Sequence, residues 1–208
     1  MNKTNVKLIP TCTAMVIGLT LFACSSKKQE GKKEEPGKME MVDTKAVGPA
    51  PDPIKVFENV DLLVRNRIKG FVSDYFAINQ ALIVDNQDGA KAAAKKLSET
   101  ISKFDMSELK GEQIDFYRLQ LAKLTQSLKG ISESTDIEEA RMELAALSEG
   151  VYNLVKAYHP IDVELYYQFC PMAKNGEGAN WLSGTKEIVN PYMGQRMPHC
   201  VRTQETIN

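Results

Sequence analysis

Residues 135–159 read TDIEEARMELAALSEGVYNLVKAYH, and the spacing of their apolar side chains decides the fold. Ile137, Ala140, Leu144, Leu147, Val151, Leu154 and Tyr158 alternate gaps of three and four without a slip, the period of one helical face. Thr135-x-x-Glu138 has the form of a capping box, in which the two side chains satisfy orphan amides of the first turn. His159 closes the helix just before Pro160, a place where histidine caps carbonyls and opposes the helix dipole more readily than it binds metal. The Arg, Lys and Glu residues between the apolar positions are assigned to the solvated face.

Three more stripes lie upstream. Asp52-Pro53 offers a start signal, followed by Val56, Val60, Leu63, Ile68, Phe71, Tyr75, Ile78 and Leu82, with Gly70 a place for a bend. Asp85-Asn86-Gln87-Asp88 ends that pattern, and Ala90, Ala93, Leu97, Ile101 and Phe104 predict a second, shorter helix. Ser107 opens a third with Ile114, Tyr117, Leu121, Leu124, Leu128 and Ile131, closing near Gly130. The expected fold is therefore mainly α, an antiparallel four-helix bundle over residues 54–159. Its stripes lack the histidines that Glu-x-x-His sites in bundle cores require.

Beyond Pro160 the texture changes. Val163 to Phe169 is aromatic and loosely alternating, which predicts a short strand, and Glu187-Ile188-Val189 predicts a second. Gly176, Gly178, Asn180, Gly184, Asn190, Pro191 and Gly194 mark turns. Residues 160–208 are thus expected to form a Gly-rich β-ribbon packed on the bundle as part of one domain. Such a ribbon has little core of its own and needs packing, a cross-link or a metal to hold it.

The front of the chain predicts its compartment. Lys3 and Lys7 precede a short apolar run, Thr11 to Phe22, and Leu21-Phe22-Ala23-Cys24 resembles a bacterial lipobox. The expectation is a signal peptide over residues 1–23, lipidation at Cys24, and a membrane anchor that does not span the bilayer. Residues 24–53 mix Lys, Glu, Gly and Pro with few apolar residues, as a flexible charged linker would. Met39 and Met41 fall in it and read as incidental. The protein is expected in the cell envelope, on the periplasmic side or at the outer membrane. A formal net charge of −1 without a basic stripe argues against nucleic acid as a partner.

The chemistry gathers between Cys170 and Cys200. Cys170, Met172, Met193, Met197, His199 and Cys200 all fall there, soft and borderline donors suited to Cu(I). Zinc is the poorer fit, because methionine is a weak zinc ligand and two cysteines with one histidine fall short of a closed site.

Cys170-Pro171-Met172-Ala173, Trp181-Leu182-Ser183 and Asn190-Pro191-Tyr192, with Gly194, Met197 and Cys200, resemble a bacterial domain of unknown function. That domain occurs in small periplasmic lipoproteins and fused to the C-terminus of periplasmic adaptor subunits of heavy-metal efflux systems. The resemblance runs upstream through Tyr75, Ala81-Leu82 and the Asp85 to Ala94 stretch, covering roughly residues 54–202. It implies handling of copper or a related metal beside an efflux or resistance pathway, with an efflux adaptor or transporter as partner. Cys170, Met172, Met197 and Cys200 are the residues it carries over as ligands. Ala173 stands where related Cys-Pro-Met elements continue with histidine, which removes one donor. Met193 and His199 are particular to this sequence and join the set only as further donors.

The two thiols also have a structural reading. With Cys12 in the signal peptide and Cys24 lipidated, Cys170 and Cys200 form an even pair in an oxidising compartment, and a disulfide is the simpler use of them. The same sulfurs cannot ligate a metal as thiolates while bonded to each other, so metal site, disulfide and a redox alternation between them all stand open. A disulfide-stapled interaction module without a metal is the alternative function. No Gly-x-Ser-x-Gly, phosphate loop or Cys-x-x-Cys is present, and an enzyme is not expected.

Overall fold

A computed structural model describes residues 53–197 and 201–208. The signal segment, Cys24, Met39, Met41, His199 and Cys200 lie outside the described residues.

Over the described residues the chain is mainly helical with one small antiparallel sheet. Four long helices, α1 (Leu62–Ile83), α2 (Gln87–Ser102), α3 (Glu112–Glu133) and α4 (Ile137–Tyr158), are followed by β1 (Leu165–Cys170), β2 (Ala179–Ser183) and β3 (Arg202–Ile207). The helices touch in a ring: α1 packs on α2, α2 on α3, α3 on α4 and α4 on α1. Their periodic residues meet inside it, with Phe71, Tyr75, Leu97, Leu124, Leu144 and Val151 among the buried side chains. Each such aliphatic side chain is worth about 1.5–3 kcal/mol by removal from water. A partly buried polar link supports the packing of the first pair: Asp74 accepts from Lys96 at 2.7 Å and from Thr100 at 2.8 Å.

Helix boundaries differ from the sequence expectation where a cap overrides the stripe. The first helix starts at Leu62, not at Pro53, because Asp61 accepts from the Leu63 amide at 2.8 Å. Asn59, with φ 58°, turns the chain before it. The segment ahead, carrying Val56 and Val60, instead runs over α4, with the Phe57 amide donating to the Ala157 carbonyl at 2.9 Å. The third helix starts after Gly111 rather than at Ser107, which lies in a 3-10 turn (Met106–Glu108), and it continues past Gly130 to Glu133. The fourth is capped one residue later than the expected box: Asp136 accepts from Glu139 N–H at 2.9 Å while Glu139 reaches back to the Thr135 amide at 2.7 Å. Each such cap contributes about 1 kcal/mol. His159 caps the helix end with its own backbone, in the left-handed region, donating to the Val155 carbonyl.

The sheet has order β2-β1-β3, with β1 antiparallel to both neighbours. The expected first strand is present. The expected partner at residues 187–189 is not: Ala179–Ser183 pairs instead, opposing Tyr167 to Leu182 and Cys170 to Ala179. The tail, which the sequence left unassigned, supplies β3. Tyr167 stacks on Tyr152 of α4 with ring centroids 3.9 Å apart, and Glu205 of β3 accepts from Tyr152 and Lys156 at 2.5 Å each. The sheet thereby lies against α4.

Candidate functional site

Two of the elements that carry the sequence resemblance, Leu82 to Asp85 and Asn190-Pro191-Tyr192, meet at one buried side chain, Arg141 of α4, which is only 3% exposed. Its Nε donates to the Pro191 carbonyl at 3.0 Å. Its Nη2 donates to the Leu82 carbonyl at 2.8 Å and to Asp85 at 2.5 Å, and its Nη1 to Glu138 at 2.9 Å. Arg141 therefore ties the end of α1 and the turn after it to the Asn190-Pro191-Tyr192 loop, and the expectation that it belongs to the solvated face is corrected. A planar guanidinium with five donors can hold four acceptors at once, which Lys could not.

That loop is self-ordered. Asn190 accepts from the Tyr192 amide through its side chain and from the Gly194 amide through its carbonyl, both at 3.0 Å. Gly194 sits at φ 54°, and a Cβ there would run into Asp85 and Arg141. Asp85 also accepts from Gln195 N–H at 3.4 Å, and the hydrogen bond from Arg141 holds its carboxyl below the usual carboxylate range.

Trp181 and Tyr192 meet edge to face at 5.8 Å, both buried, and the Tyr192 hydroxyl donates to the Asn180 carbonyl at 2.6 Å. Burial pushes the Tyr192 phenol well above its ordinary range. Tyr75 bonds Ser148 at 2.8 Å and accepts from Leu182 N–H at 3.1 Å. Tyr75, Leu82, Asp85, Trp181, Asn190, Pro191, Tyr192 and Gly194 are thus the joint between bundle and sheet.

The candidate metal ligands divide around that joint. Cys170 ends β1 with its side chain sealed in the core, and it has no disulfide partner among the described residues. Met172, two residues on, stands out at 46% exposed. The turn after it is tight, with Lys174, Asn175 and Gly176 all at positive φ. Such conformations are costly for non-glycine residues and persist only where the surrounding structure holds them.

Met172 lines a cleft of about 400 Å³ together with Met193 from the Asn190 loop and Met142 from α4. Met193 is half-buried against the core, and Met142 is 41% exposed. Glu138 and Arg196 close one side, joined by an ion pair at 2.6 Å. Met197 is exposed and follows Arg196 directly. The structure therefore groups Met172 and Met193 and adds Met142, which sequence reading missed. Its position on the polar side of a regular helix carries no signal until the loop is folded over it.

Three methionines thus line one partly sheltered cleft, and thioether sulfur belongs to the soft donors that favour Cu(I). Among the described residues, no group of three or more His, Cys, Asp or Glu side chains is placed to hold an ion. No described helix is long and apolar enough to cross a membrane.

No curated protein and no solved structure matches the chain. Residues 71–162, under half of the sequence, match a family described as "Protein of unknown function (DUF3347)". The match spans most of α1 through α4, including Tyr75, Asp85 and Arg141, and stops short of the Cys-Pro-Met, Trp-Leu-Ser and Asn-Pro-Tyr elements. Over its helices, this chain is similar to that domain of unknown function.

Proposed function

We propose that this protein is lipid-anchored through Cys24 in the bacterial cell envelope and holds a soft metal ion, copper as Cu(I). Its task is to sequester the ion or pass it to a heavy-metal efflux system. One observation carries the reading: Met142, Met172 and Met193 come from three separate stretches of chain to border one cleft. Thioethers favour Cu(I) and lose no proton on binding, unlike thiol or imidazolium donors. Met197 supplies a further thioether beside the rim residue Arg196, with His199 and Cys200 next along the chain.

The test is a competition titration of the mature domain with Cu(I) under anaerobic conditions. About one ion should bind per chain, and Met172→Leu and Met193→Leu should each weaken binding about tenfold. Wild-type affinity in both variants rejects the proposal.

The alternative use of the thiols has its own support. Arg202 pairs with Phe169, the neighbour of Cys170, and Cys200 lies two residues from Arg202 in the chain. A Cys170–Cys200 disulfide would staple β3 to β1 and, on the chain-entropy model, stabilise by about 3–4 kcal/mol. The thioether cleft does not require those sulfurs, so the staple and the copper site are compatible. Without metal binding, the stapled domain is an interaction module.

A further inference from the structure

A second cleft, of about 510 Å³, runs between α1 and the outer edge of β2. From this geometry we infer that it binds a linear anionic amphiphile of the fatty-acid class, with the carboxylate at Lys69 and the chain laid along α1. Its α1 wall is Lys69, Val72, Ser73, Phe76, Gln80 and Ile83. These lie on one helical face from Lys69 to Ile83, a span of about 21 Å at 1.5 Å per residue. The opposite wall is mostly apolar, with Leu165, Trp181, Leu182 and Val189 beside Ser183 and Thr185, and Ile161 and Val163 flank the cleft as well. The volume falls in the range of about 300–1,000 Å³ common for small-molecule sites.

Two features choose the occupant. The first is charge: among the described residues, Lys69 is the only charged one on the cleft, it is exposed, and it forms no salt bridge with another of them. One cation at one end of an apolar slot complements an anionic head with an apolar tail.

The second is the state of the sheet edge. β2 is an edge strand, and an unpaired edge invites an added peptide strand. Here three backbone groups of that edge are already taken from within. Leu182 N–H donates to the Tyr75 hydroxyl at 3.1 Å, the Leu182 carbonyl accepts from Asn79 at 3.0 Å, and the Asn180 carbonyl accepts from Tyr192 at 2.6 Å. A peptide entering the slot would find these backbone groups taken and would bury its own amides unpaired. An acyl chain asks for no hydrogen bonds. Trp181, the only tryptophan of the chain, lines the slot and reports on it directly.

The experiment is a titration of the mature domain with laurate below its micellar concentration, followed by Trp181 emission and by displacement of a fluorescent fatty-acid probe. Saturable binding of one laurate per chain is expected. Lys69→Glu should weaken laurate about tenfold while leaving lauryl alcohol unchanged, and Ser73→Trp should block both ligands. Both replaced residues are exposed, and a thermal melt of each variant verifies that it folds. Absence of saturable binding overturns the inference, as does equal laurate affinity in wild type and Lys69→Glu. So does a Ser73→Trp protein that binds as well as wild type, which would place the ligand elsewhere. Preferential binding of an apolar peptide over laurate would assign the slot to a protein partner and likewise overturn it.

Discussion

Arg141 and Pro191 lie fifty residues apart in sequence, and the Arg141 Nε donates to the Pro191 carbonyl at 3.0 Å inside the protein. The same guanidinium reaches Asp85 and the Leu82 carbonyl, so one side chain fastens the loop that bears Met193 to the first helix. Removing it leaves the Pro191 and Leu82 carbonyls without this donor and Asp85 without its ion pair. Arg141→Ala should lower stability by about 2–4 kcal/mol in urea denaturation, mostly from the two buried carbonyls left without a donor. Arg196→Ala, whose ion pair with Glu138 is solvent-exposed, should cost no more than about 1 kcal/mol. Equal effects in the two variants would contradict the role given to Arg141.

Gly194 is the second requirement of that joint. Its φ of 54° suits glycine, and any side chain would enter the space held by Asp85 and Arg141. Gly194→Ala should destabilise the fold by about 2 kcal/mol or more, combining backbone strain with displacement of the ion pair. Gly111 has a similar φ but open space around a new Cβ, so Gly111→Ala should cost less. Thermal melts of the two variants separate the contributions.

The joint is also acid-sensitive, with a definite sign. The hydrogen bond from Arg141 depresses the Asp85 carboxyl, against the opposing pull of its partial burial. A group whose folded value lies below its unfolded one contributes stability fully above the unfolded value, near 3.8, and loses it as pH falls through the folded one. The stability gap between wild type and Asp85→Asn should therefore be constant above about pH 5 and shrink below about pH 4. Asparagine tolerates the positive φ found at position 85, which keeps the comparison clean. A gap that does not change with pH would show that the charge of Asp85 contributes nothing.

The helices were legible because burial on one face imposes a period, and Ile137 through Tyr158 keep it throughout. Their ends were less so. Asp52-Pro53 and Asp61 are both chemically sound starts, and the choice depends on Phe57 finding the α4 backbone and Phe116, a long-range event. The second strand was misplaced for a related reason. Glu187-Ile188-Val189 has the stronger β composition, but Trp181 and Leu182 are the residues with a buried place waiting beside Tyr192 and Tyr75. Arg141 read as one more surface cation on an amphipathic helix, since most of its acceptors are supplied by two distant segments. Met142, its neighbour, was invisible for the same reason, whereas Met172 and Met193 stood out through their place in a donor-rich tail.

Thiol chemistry provides a further check. If Cys170 and Cys200 are joined, protein taken from an oxidising compartment and unfolded without reductant should show no free thiol in the mature chain. Reduction should then lower the urea midpoint, in line with a contribution of about 3–4 kcal/mol. Two titratable thiols would instead return both sulfurs to the pool of metal donors.

Sulfur-edge and copper-edge X-ray absorption on the Cu(I)-loaded domain tests whether the thioethers of Met142, Met172 and Met193 form the metal site. Thioether sulfur should appear in the copper shell of wild type and be lost in the Met142→Leu, Met172→Leu, Met193→Leu triple variant, with affinity lowered at least a hundredfold there. Unchanged copper coordination and affinity in that triple variant would rule the thioether site out.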